Sequence, residues 1–223
     1  MSNALPKLAE IKQVVIYINP QKVTHYESSP NRAWQEIFKG LDRLKMTKLI
    51  QPIRTREYLL GGEWEQKTVP FRSIKRCYLI EDLFKNRHQY QNSLWYGRAM
   101  KSLEERGFFK YKHLLMHYQT SVDSFFENNR LPLLDSMFEH GYQQRPQDDV
   151  PYFLVGAQGQ LYKSRRGRHR FAAALATGVK AGFPVRIETI HTQWWKRNVL
   201  KRSETSILDR YRAALTELEH RYK

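Results

Sequence analysis

Between Val150 and Ile190 the chain carries strand, turn, strand, basic turn, alanine-rich helix and strand, with few residues to spare. "VPYFLVG" (150–156) is an apolar run of strand length. "AQG" punctuates it, and "QLYK" supplies a second strand, so the two predict a hairpin. The helix "HRFAAALATG" ends at Gly178 and is followed by a third strand, "FPVRIETI" (183–190), in which Val185, Ile187 and Thr189 alternate. Ala172, Ala173, Ala174 and Ala176 give the helix a small face that allows close approach to a sheet. This succession predicts an α/β (α+β) fold, a small sheet with packed helices.

The rest of the chain reads as additions to that core. "VVIYI" (14–18) is an opening strand that Asn19-Pro20 ends, because proline cannot donate to a ladder. "RAWQEIFKGLDRLKM" places Trp34, Ile37, Phe38, Leu41 and Leu44 at helical spacing, with Ser29 or Asn31 as cap. "LLGGEWEQKTVPF" (59–71) reads as a turn into irregular structure. Residues 76–107 predict two helical pieces ending at Gly107. Thr120 and Asp123 suggest a capping-box start for the next helix, and "LPLLDSMFEHG" has Pro132 in its first turn and Gly141 at its end. A last helix follows, capped by Ser203 or Ser206 and striped by Ile207, Tyr211, Leu215 and Leu218. The expected organisation is an opening strand in 1–26, a mostly helical insert in 27–130, a core in 131–192 and a C-terminal helix in 193–223.

The chemistry concentrates in one turn. Residues 163–170 hold five lysines or arginines and one histidine: Lys163, Arg165, Arg166, Arg168, His169 and Arg170, with Gly167 in the middle. The first N–H groups of a helix lack internal partners and carry partial positive charge, so an anion is favoured there. Glycine permits close backbone approach, and arginine grips two phosphate oxygens at once. The whole chain, with a net charge of +16 over 223 residues, adds a general attraction for polyanions. A single cysteine, Cys77, excludes an intrachain disulfide framework and a cysteine-rich zinc site. No apolar run approaches the roughly 18 residues of a membrane span, and "MSNALPKLAEIK" lacks a signal-peptide core, so a cytoplasmic location is expected.

"GQLYKSRRGRHRFAAALATGVKAGFPVRI" (159–187) resembles the ParB/sulfiredoxin superfamily, with its strand, glycine and His-Arg turn, "xAA" and "G…xPVxV". "LPLLDSMFEHGYQQRPQDDVPYFLV" looks like the helix, glycine and strand that precede this turn, and "VVIYINPQKV" looks like the opening strand. "GGEWEQ", "IEDLFKNRHQYQNSLWYGRAM" and "HTQWW" are similar to a subgroup of ParB-like proteins with a Gly-Gly-Asp-Trp-Asp-like motif before a long insert. The superfamily includes CTP-hydrolysing partition proteins, sulfiredoxin, a free-serine kinase and proteins labelled nucleases. The resemblance implies that Gly167, His169 and Arg170 contact phosphates, with Arg168 adjacent. It departs in two places: Arg166 stands where many relatives have Asp, and the turn lacks the sulfiredoxin cysteine.

These features set the expectations. The basic turn binds a nucleotide, ATP or CTP with Mg2+, or another phosphorylated small molecule, as in a small-molecule kinase or nucleoside triphosphatase. The alternatives are a protein that grips DNA or RNA backbone phosphates, and a non-catalytic scaffold docking an acidic partner. Glu139 is a candidate base or a solvated helix end. Glu63 and Glu65 flank Trp64; at i and i+2 on an extended strand they would point the same way and hold a metal or take a proton, or else be surface charge. His191, at a strand end, is a candidate site residue or a packed cap. Trp194 and Trp195 are base-stacking candidates or core anchors. No dedicated metal-ligand set is expected.

Overall fold

A computed structural model describes residues 8–27, 30, 32–44, 56, 58–143, 150–204 and 206–223. It has an α+β fold, with a mixed seven-stranded sheet and a separate two-stranded one. The chain divides into two compact units. The first takes Met1–Phe71, Pro146–Arg168 and Lys180–Lys223; the second takes Arg72–Arg145 and His169–Val179. The expected insert is therefore shared: residues 27–71 belong with the sheet, and the basic turn runs across the boundary.

The first unit is organised around one strand, β9 (Phe183–His191). It pairs antiparallel with β1 (Val15–Ile18), parallel with β7 (Tyr152–Val155) and, near its end, parallel with β3 (Leu59–Leu60). The hairpin of β7 and β8 (Leu161–Lys163) continues the sheet, then β2 (His25–Tyr26) adds parallel and β4 (Val69–Pro70) antiparallel. All of β9 except Arg186 is buried, so both faces of the strand are covered. The alternation of Val185, Ile187 and Thr189 does not mark a single buried face, because this central strand is covered on both sides.

Helices α1 (Leu8–Gln13) and α9 (Ile207–Tyr222) pack on β9 and β1 respectively. Ser206 caps α9 by accepting from the Asp209 N–H at 3.1 Å. The far end of α9 is tied down: Asn19 N donates to Tyr222 O at 2.6 Å, and Leu161 N donates to the Tyr222 hydroxyl at 2.8 Å. In α2 (Arg32–Arg43) Phe38 is buried, while Ile37 and Leu44 outside the helix end are exposed. The caps proposed at Ser29 and Asn31 lie outside the described residues.

The second unit is helical with one hairpin. α3 (Lys75–Lys85) and α4 (Leu94–Arg106) are the two foreseen pieces, and α4 ends at Gly107. Ser93 caps α4 through Tyr96 N at 3.3 Å, and the Asp82 carboxylate accepts from Leu94 N at 2.6 Å. The hairpin of β5 (Phe109–Tyr111) and β6 (Leu114–Met116) was not foreseen; its tip carries Lys112 at φ 53°. α5 (Gln119–Phe125) starts one residue before Thr120 and has no side-chain cap, so the expected capping box does not form. A π-helical turn, Phe126–Arg130, leads into α6 (Leu131–His140), which has Pro132 in its first turn and Gly141 at its end. Trp95, Tyr111, Phe125 and Phe126 pack edge-on or tilted with ring centroids 4.9–6.1 Å apart.

Candidate functional site

The basic turn follows β8 directly and opens α7 (Arg168–Ala176). Strand alternation sends Leu161 and Lys163 into the core together. Lys163 is fully buried, and its ammonium donates to Tyr152 O and Ser164 O, each at 2.8 Å, and to Arg166 O. It also lies 4.9 Å from the Phe153 ring centre. A buried ammonium with three carbonyl acceptors is a structural staple that closes the turn. That use withdraws Lys163 from the phosphate-contact set.

Gly167 has a steric role. Its φ is +75°, and a Cβ would come 2.7 Å from the Pro151 Cα. The side-chain-free face that the sequence assigned to an approaching anion is filled by a proline.

The arginines of the first unit behave differently. Arg165 and Arg166 are exposed, and Arg168 is half-buried. Arg166 rests 5.2 Å over the Tyr152 ring, and Arg168 rests 5.6 Å over Tyr26 while donating to its hydroxyl at 3.1 Å. Aromatic faces position a guanidinium without cancelling its charge. Among the described residues none of these three pairs with a carboxylate. By contrast Arg72, Arg87, Arg202 and Arg212 are ion-paired to Glu81, Asp135, Glu217 and Asp209.

His169 and Arg170 are both half-buried in the first turn of α7. His169 Nδ1 shares a hydrogen bond with the Tyr111 hydroxyl, both within the second unit.

Two motif stretches, "GGEWEQ" and "HTQWW", meet in the first unit. Trp64 is buried, 5.6 Å from the Tyr162 ring and 6.2 Å from the His191 ring. Glu65 Oε1 accepts from Ala157 N at 3.0 Å and from the Tyr162 hydroxyl at 3.3 Å. A Cβ on Gly156 would lie 2.0 Å from that oxygen, so glycine makes room for the carboxylate. Burial, with the Glu65 charge second, pushes the Tyr162 hydroxyl up to about 12. His191 Nδ1 accepts from Gln193 N at 3.1 Å, which places the proton on Nε2, donating to Gly62 O at 3.0 Å. Both ring nitrogens are engaged, and Glu65 Oε2 stands 4.0 Å from Nε2. His191 is a packed cap in this arrangement, and Glu65 is a latch that fastens residues 64–67 to the β7–β8 loop.

The extended pair expected at Glu63 and Glu65 does not form. Trp64–Lys67 is a 3-10 turn with Glu63 at its cap, so Glu63 is exposed while Glu65 packs inward. Glu139 is exposed at the end of α6, 3.7 Å from His140. Trp194 and Trp195, in the short helix α8 (Thr192–Trp195), are buried, as core anchors are. Asp148 and Asp149 lie outside the described residues. Among the described residues no group of three or more His, Cys, Asp or Glu could hold a metal ion. Among them, too, no helix is long and apolar enough to cross a membrane.

Sequence reasoning missed the tyrosines beneath the arginines, since Tyr26 reaches Arg168 across 142 residues. No family model, curated protein or solved structure matches the chain.

Proposed function

We propose that the chain binds the phosphates of a nucleic-acid backbone through Arg165, Arg166 and Arg168. The observation that carries this is three guanidinium groups in one turn, two of them held over tyrosine rings, with no carboxylate partner among the described residues. The glycine face is occupied and Lys163 is sequestered, so the cations on offer are side chains at an accessible surface. Such a surface suits repeating phosphates better than one enclosed nucleotide. The net charge of +16 adds steering toward a polyanion. The ParB/sulfiredoxin-like resemblance points to phosphate at the same turn.

Fluorescence anisotropy with labelled single-stranded and duplex oligonucleotides, titrated across salt, tests it. Affinity is expected to fall steeply with salt, and R165A/R166A is expected to reduce the log–log salt slope by about 2, one unit per lost phosphate contact. Absence of binding at low salt, or a slope unchanged by R165A/R166A, overturns the proposal. Thermal stabilisation by ATP or CTP without oligonucleotide binding would reassign the turn to a nucleotide.

A further inference from the structure

One face of the first unit's sheet carries a cation and a bare aromatic ring beside the basic turn. In β1 the residues alternate: Ile16 and Ile18 are buried, while Val15 is half-buried and Tyr17 is 46% exposed. Side chains at i and i+2 of a strand share a face, so Val15 and Tyr17 point away from the core together. Val15 pairs with Arg186 of β9, and Arg186 pairs in turn with Tyr152 of β7. Paired positions on neighbouring strands also share a face, with about 4.8 Å between strands. Arg186 is the one residue of β9 that is not buried, and it stands on this face.

Arg186 brings a fourth guanidinium to those of the turn. Its Nε is buried without an acceptor, and among the described residues it makes no hydrogen bond or ion pair. Arg166 comes to the same place from the turn, its guanidinium 5.2 Å over the ring of Tyr152, the residue paired with Arg186. Two neighbouring cations without a carboxylate between them repel each other, and a shared anion offsets that repulsion. Tyr17 is the third component. Among the described residues no ring, cation or hydrogen-bond partner engages it, and its neighbour across the strand pair, Pro184, is apolar.

We propose that the nucleic acid bound at the basic turn is single-stranded, and that it crosses β7, β9 and β1 with its backbone phosphates on Arg166 and Arg186 and a base stacked on Tyr17. The inference rests on the nucleic-acid reading of the basic turn and adds the strandedness of the ligand. A base inside a duplex is paired and stacked on its neighbours, so its face is closed to a tyrosine on a sheet. A single strand can splay its bases out onto such a ring. The stacking is tolerant of sequence, because every base has a π face.

Fluorescence anisotropy of the full chain tests it, with a labelled oligothymidylate of about a dozen nucleotides and the matching thymidylate–adenylate duplex. The single strand is expected to bind about tenfold more tightly than the duplex. Y17T keeps a β-branched residue in the strand but removes the ring, and is expected to weaken the single strand about tenfold, the size of one stacked base. Y17W is expected to restore wild-type affinity, which a merely structural role for the tyrosine would not predict. R186M keeps the aliphatic stem and is expected to lower the log–log salt slope for the single strand by about 0.7, the value of one phosphate contact. Duplex bound as tightly as the single strand, single-strand affinity unchanged in Y17T, or a salt slope unchanged in R186M overturns the proposal. Should the R165A/R166A effect persist in that case, the nucleic-acid reading stands without it; failure of both oligonucleotides to bind at low salt removes the two together.

Discussion

Gly167 and Pro151 are in van der Waals contact, and a side chain at the glycine would overlap the proline backbone, with Cβ 2.7 Å from Cα. The position is also left-handed, at φ +75°. Gly167→Ala therefore meets two costs, the left-handed conformation and the overpacking. Together they are expected to lower stability by about 2–4 kcal/mol. Chemical denaturation measures this. A loss below ~1 kcal/mol would mean that the turn yields easily.

Lys163 makes an opposite claim from the one its charge suggests. Lys163→Met would strand the carbonyls of Tyr152, Ser164 and Arg166, at an expected cost of about 2–5 kcal/mol. Oligonucleotide affinity of the folded variant is expected to stay at the wild-type level. A collapse of affinity in a stable K163M protein would restore the lysine to the ligand-contact set.

The Glu65 latch separates charge from shape. Glu65→Ala removes the acceptor of Ala157 N and the Tyr162 hydroxyl and is expected to cost about 1–3 kcal/mol. Glu65→Gln keeps an oxygen in place and is expected to cost less. Equal losses for the two, by denaturant midpoints, would show that the negative charge rather than the hydrogen-bond geometry matters.

Cys77 is fully buried, and its thiol is pushed from 9.0 up to about 12 by burial first and by the Glu81 charge second. A raised folded-state value favours the neutral thiol. The corresponding stability is present below pH 9.0 and drains as pH climbs toward 12. Cys77→Ala is expected to flatten the alkaline limb of a stability–pH curve. Native protein at pH 8 is expected to resist thiol reagents that label the unfolded chain at once; rapid native labelling would contradict the burial.

What was legible in the sequence was local. Gly107, Gly141 and Ser206 end or start helices for reasons confined to a few neighbouring residues, and all three do so in the structure. The strands β1, β7, β8 and β9 were legible because apolar β-formers bounded by turn residues mark them. Partners distant in sequence were not. Nothing near Arg168 announces Tyr26, and nothing near Glu65 announces Ala157. Lys163 was misplaced although strand alternation with Leu161 pointed it inward, because a run of like charges invites a single explanation. The burial of both faces of β9 was not legible for a related cause: exposure depends on what covers the second face, and neither composition nor periodicity carries that.

The pairing of Val15 with Arg186 has a price during synthesis on the ribosome. Ile16 and Ile18, buried in the finished sheet, leave the exit tunnel long before Val185 and Phe183 are translated. Until then the nascent segment is an unpaired, β-branched edge, adhesive to other chains.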